Sequence, residues 1–172
     1  MSKARLKRHL LSLEKEQVVG IMLELYDASR EAAAWLDFYL VPNCDKELER
    51  YKKAIRSQFY GRNDSPRDPR FSECNKLITA FKKFIPDPSA VADLMLYYVE
   101  QGCSLTIQFG DYEESFYTAL ENNFRKAARF ISENGLMADF APRMERLIRS
   151  VECCGYGFPE TLWDFYDEYA EG

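Results

Sequence analysis

Histidine is almost missing from this chain: His9 is the one imidazole in 172 residues. It sits among Arg5, Lys7 and Arg8 near the N-terminus, with neither the partner nor the pocket that general-base chemistry needs. Most serine and cysteine triads require a histidine, so that class of catalysis is nearly closed and no catalytic residue is assigned. Long apolar runs are missing too. The stretch Leu10 to Leu13 is broken by Ser12 and stopped by Glu14, whereas a secretory core needs ~7–15 apolar residues and a spanning helix ~20. The eight glycines form no phosphate-cradling loop, since Gly155–Tyr156–Gly157 is too short and follows a helical pattern.

Cysteine is present but in no useful arrangement. Cys44, Cys74, Cys103, Cys153 and Cys154 are odd in number and scattered apart from the vicinal pair, which argues against a disulfide framework. Paired zinc spacings and histidine partners are lacking, so no metal is expected, and no cofactor. Adjacent cysteines such as Cys153–Cys154 form a strained ring when oxidised, so they read as thiols. Reduced thiols and the lack of an export segment point to a soluble protein of the cytoplasm.

What is there begins with charge. Residues 1–86 carry 17 Lys/Arg against 12 Asp/Glu, a balance of +5, while residues 87–172 carry 6 against 16, a balance of −10. Such an electrostatic split shapes association more than chemistry. Apolar residues make up 47% and aromatics 15%, enough for a core and too many for a disordered chain. The length suits one domain, 1–172.

The apolar residues recur with helical period almost throughout, which predicts an all-α fold of about nine helices packed as successive antiparallel hairpins. The spans are about 3–12, 14–28 and 30–40, with Ser29 capping the third, which ends before Pro42. Asp45 opens a fourth helix. Residues 61–70 form a solvated loop with Gly61, Pro66 and Pro69, dividing the domain into two helical lobes. Ser72 is placed as the cap of a fifth helix carrying Leu77, Ile78, Phe81 and Ile85. Asp87 and Pro88 open a sixth, apolar on most sides and hence central, which Gly102 is expected to end.

Residues 103–109 alternate apolar and polar like a strand, yet nothing else could pair with them, so an extended connector is predicted. Asp111 and Glu114 give a capping signature for a helix at about 112–134, followed by one at about 136–152. Phe158–Pro159 opens the last, whose aromatic side, Trp163 included, is expected to be buried.

Several strings are more specific than generic helix text. They include Lys15–Glu16–Gln17 leading into Met22–Leu23–Glu24–Leu25–Tyr26, and the run from Ala92 to Gly102. Others are Phe109–Gly110–Asp111, Phe116–Tyr117 and Gly155–Tyr156–Gly157–Phe158. Together they resemble an uncharacterised family of small bacterial all-helical proteins. The resemblance implies an all-α fold and brings no activity with it.

Two surfaces remain as candidate binding sites. Asp93, Tyr97 and Glu100 share one stripe of the central helix and read as the rim of a groove; if buried, the two carboxylates would mark a site. Lys52, Lys53 and Arg56 lie in a basic stretch, 46–70, with eight Lys/Arg and four Asp/Glu among aromatics. That pattern is found on nucleic-acid surfaces, but also on ordinary solvated helices. Asp111, Glu113 and Glu114 suit a helix start better than a cation, and Glu160, Asp164, Asp167 and Glu168 suit a solvated face.

The expected function is a helical protein-interaction module without enzymatic activity. An anion or nucleic-acid binder acting through 46–70 is the alternative, and an enzyme of unidentified class comes third. The expected partner is a protein, not nucleic acid and not a membrane.

Overall fold

The computed structural model describes residues 2–41, 43–84 and 86–170. Nine α-helices are found among them, helix accounts for 80% of the structure, and no strand forms beyond an isolated bridge between Tyr60 and Pro66. The fold is all-α. The expectations at Pro42 and Ile85 lie outside the described residues.

The chain divides into two compact units, Met1–Asn43 and Cys44–Gly172. The sequence reading sets a division between two helical lobes in loop 61–70. That loop belongs wholly to the second unit, tied back to the preceding helix by Arg67, whose N–H donates to the Phe59 carbonyl at 2.9 Å. The Arg67 guanidinium also reaches the Ser57 carbonyl at 3.1 Å, and Pro69 is buried. Proline and glycine broke the helical pattern without breaking the packing.

The first unit holds α1 (Lys3–Leu11), α2 (Lys15–Ala28) and α3 (Arg30–Leu40). Ser2 caps α1, its hydroxyl accepting from the Arg5 N–H at 3.3 Å. Gln17 accepts from the Glu14 N–H at 3.0 Å in a capping box that opens α2. Ser29 ends α2 and caps α3, so one residue turns the chain between two packed helices. Tyr26 donates to Asp37 across that pair at 3.1 Å. No residue in these three helices is buried.

The second unit holds α4 (Cys44–Phe59), α5 (Phe71–Lys82), α6 (Pro88–Phe109), α7 (Glu114–Glu133), α8 (Met137–Ser150) and α9 (Phe158–Ala170). Its axis is α6, which packs against α4, α5, α7 and α8. Asp87 caps it as expected, accepting from the Ser89 N–H at 2.8 Å, with Pro88 as its first residue.

Its far end departs from the sequence reading. Gly102 does not stop α6, and 103–109 is not an extended connector: the helix runs on to Phe109 and ends at Gly110, whose φ of +94° suits glycine. Gly102, Cys103, Leu105 and Thr106 are buried while Ile107 and Phe109 are exposed, which is helical spacing beneath an alternating text. A lone strand would leave its backbone groups unpaired, and a helix satisfies them locally.

Two caps also differ. Arg70, not Ser72, precedes α5, and Glu113 precedes α7 with no side-chain cap. Asp111 instead accepts a hydrogen bond at 2.7 Å from the Tyr117 hydroxyl, which also shares one with Thr106 at 2.7 Å.

The last helix docks on its own chain, packing against α7 and α8. Phe158, Pro159 and Leu162 are its buried residues; Trp163 is only half-buried, set edge-on to Tyr166 at 5.5 Å.

Candidate functional site

Because α6 is apolar on most sides, its few charges must find partners where neighbouring helices cross it. Asp93, Tyr97 and Glu100 fall at four- and three-residue spacing and so share a face. Lys52 and Arg56, one turn apart on α4, meet part of that face, and Arg143 of α8 meets the rest.

Arg143 holds Glu100 through two parallel bonds, Nε to Oε1 at 2.6 Å and Nη2 to Oε2 at 2.8 Å. Its remaining Nη1 donates to Asp93 at 2.5 Å. Lys52 closes the network on the other Asp93 oxygen at 2.7 Å, with its Nζ 5.6 Å from the centre of the Tyr97 ring. The two candidate surfaces read separately from the sequence are thus one. Two cations and two carboxylates form its centre, and the exposed Glu49 lies 3.4 Å from Lys52 as a third carboxylate.

The side chains of the four ions are 19–27% exposed, between the buried site and the open rim that the sequence left as alternatives. Burial alone would raise the Asp93 carboxyl, but hydrogen bonds from Lys52 and Arg143 outweigh it, leaving Asp93 below the ordinary carboxylate range. Burial opposes the charge on Lys52 and Arg143 as well, yet the bond to Asp93 raises Lys52 above its usual value, and the bonds to Glu100 and then Asp93 raise Arg143. Asp93, Lys52 and Arg143 stay ionised at neutral pH. A carboxylate so engaged is a poor general base, and the arrangement clamps three helices.

Arg56 is committed too. It donates to Gln101 at 3.2 Å and to Asp64 at 2.9 Å, with its guanidinium 4.6 Å above the Tyr60 ring. Lys53 is exposed. Among the described residues no group of three His, Cys, Asp or Glu side chains is placed to hold a metal. All five cysteines are free, and burial pushes the Cys74 thiol up to about 12, far from nucleophilic use.

Two concavities flank α6. A cleft of about 400 Å³ beside α8 borders the charge network and includes Arg146 and Ser150. A groove of about 600 Å³ lies between α5 and α7, with Met95, Tyr98 and Asn123 on its surface. Sequence reasoning missed both, and it missed Arg143. Nothing in the α8 sequence separates Arg143 from Arg146 and Arg149; only packing against α6 does.

The profile of a family of unknown function, DUF6155, matches residues 1–152. The chain belongs to that family. The match includes every distinctive string noted above except Gly155–Tyr156–Gly157–Phe158, and it covers the whole charge network while α9 lies beyond it. No curated protein and no solved structure matches the chain. Among the described residues no helix is long and apolar enough to cross a membrane.

Proposed function

We propose that this protein is a non-enzymatic protein-interaction module that binds through its first unit. One observation carries the reading. The helices of Met1–Asn43 bury no residue, and Val19, Leu23, Leu25, Trp35, Tyr39 and Leu40 are all exposed. A unit near ~40 residues rarely sustains itself without a staple or a partner. A cluster of exposed large apolar side chains marks a surface that another protein covers. Trp35 and Tyr39 stack at 5.5 Å, a rigid aromatic pair of the kind that anchors interfaces.

Ion pairing weighs against the nucleic-acid alternative. Phosphate contacts need free cations, and in the basic stretch Lys52 is held by Asp93 and Arg56 by Asp64. The unpaired state of the five thiols supports a reducing, cytoplasmic setting.

The test uses the full chain. It is purified under native conditions beside the Leu23→Glu/Tyr39→Glu variant, and complexes are mapped by cross-linking with mass spectrometry. Cross-links from α2 and α3 to a stoichiometric protein partner, lost in a variant of unchanged circular dichroism, are expected. A chain that stays monomeric and alone, or cross-links that map only to the second unit, would overturn the reading.

A further inference from the structure

The groove between α5 and α7 has a floor and a rim of different chemistry. The floor is polar but buried. Tyr98 is 1% exposed and Asn123 7%, and the Asn123 Nδ2 donates to the Tyr98 hydroxyl at 3.2 Å and to the Ala119 carbonyl at 2.7 Å. Both amide hydrogens are therefore used. Among the described residues no donor reaches the Asn123 Oδ1, and no acceptor takes the Tyr98 hydroxyl hydrogen. Burial keeps that phenol protonated, so it remains a donor. The floor thus offers one donor and one acceptor side by side, the complement of an amide or nucleobase edge.

The rim is cationic. Lys82 and Lys126 both line the groove, and neither has a carboxylate partner among the described residues. The Lys82 ammonium lies 4.6 Å from the centre of the Phe130 ring, which stands half-exposed in the same wall. Arg129 is already neutralised by Glu133 at 2.7 Å. That leaves a balance of +2 in a chain whose net charge is −5. From residue 87 onward the other cations are held by carboxylates, on Arg125, Arg129, Arg143 and Arg149, with Lys126 and Arg146 the exceptions, and both of these line a concavity. Cations kept unpaired on a concave surface of an acidic protein suit an anion of about two charges, which a phosphomonoester carries near pH 7.

The groove's volume of about 600 Å³ falls within the roughly 300–1,000 Å³ of small-molecule sites. We propose that it binds a small organic phosphate of mononucleotide size, with the phosphate between Lys82 and Lys126 and a planar polar body against Phe130, its edge on Tyr98 and Asn123. This inference does not depend on the protein-binding surface of the first unit, and neither reading falls with the other.

Isothermal titration of the full chain with AMP, UMP, glycerol 3-phosphate, adenosine and inorganic phosphate tests it, alongside amide spectra of the labelled protein. A mononucleotide is expected to bind with a Kd below about 1 mM, and at least ~10-fold tighter than the phosphate or nucleoside alone. Its signature would be shifts at Asn123, Lys126 and Phe130. Lys82→Glu/Lys126→Glu should weaken it ~10-fold or more at an unchanged unfolding midpoint, while Lys83→Glu, a neighbour outside the groove, should not. Tyr98→Phe should weaken the nucleotide and leave glycerol 3-phosphate unchanged. Mononucleotides binding no tighter than glycerol 3-phosphate, or binding that survives the double charge reversal, would overturn the assignment.

Discussion

Leu120 of α7 packs directly on the α-carbon of Gly102 in α6, so closely that a Cβ there would overlap the leucine's two terminal methyls. Helix α6 can pass beneath α7 at this point because the residue has no side chain. Glycine in a helix interior costs roughly 1 kcal/mol relative to alanine, so it is retained here for packing. Gly102→Ala should raise helix propensity and still destabilise the fold by about 1–3 kcal/mol, the usual range for overpacking. Urea unfolding of Gly102→Ala, Leu120→Ala and the double variant checks this. The double should be less destabilised than the two singles combined, since each relieves the other's misfit.

The clamp across α4, α6 and α8 makes stability depend on pH at both ends. Asp93 is held below its unfolded value, so its contribution is complete above the unfolded range near ~4 and is lost as pH falls through the folded value. Lys52 is held above its unfolded value, so its contribution is complete below ~10 and is lost as pH rises through the folded one. Asp93→Asn should cost about 1–3 kcal/mol at pH 7, because two half-buried cations lose an acceptor. It should also flatten the acid limb of a plot of unfolding free energy against pH. An acid limb identical to that of the parent protein would remove Asp93 from the clamp.

The C-terminal helix is anchored by its first turn and by Leu162. Leu162 and Phe158 are fully buried and Trp163 is not. Leu162→Ala is expected to destabilise by ~2–5 kcal/mol. Trp163→Ala should cost less than the ~3–5 kcal/mol of a fully buried aromatic. Thermal unfolding followed by far-ultraviolet circular dichroism ranks the two, and the reverse ranking would mean that the indole is the anchor.

Tyr60 is buried, yet its hydroxyl finds no hydrogen-bond partner among the described residues. Leaving such a group unmade costs about 1–3 kcal/mol. Tyr60→Phe keeps the ring beneath the Arg56 guanidinium and removes the orphan oxygen. It should be neutral or stabilising by up to ~1 kcal/mol in chemical denaturation. A clear loss of stability would show that the hydroxyl is bonded in solution.

Local rules determined the elements. The apolar period placed the helices of both units, and Asp87–Pro88 and Ser29 marked helix starts because a cap acts within three residues of itself. Local rules failed where a distant residue set the outcome. Gly102 read as a stop because glycine usually ends helices, and only Leu120, eighteen positions on, explains its place inside one. Asp111 read as a cap because the Tyr117 hydroxyl that takes it cannot be seen from spacing. Residues 103–109 read as extended because period two and period 3.6 are hard to separate over seven positions.

The candidate site divides the same way. Composition argued against triads and zinc sites, since His9 stands alone and no cysteine spacing suits a metal. The sequence by itself set Asp93, Tyr97 and Glu100 on one groove rim and Lys52, Lys53 and Arg56 on a separate basic face. That Lys52, Asp93 and Glu100 join one network with Arg143, and that Lys82 and Lys126 face one groove from two helices, was decided by tertiary structure. Pairing between charges 41 or 50 positions apart depends on how helices cross, and no local periodicity encodes a crossing.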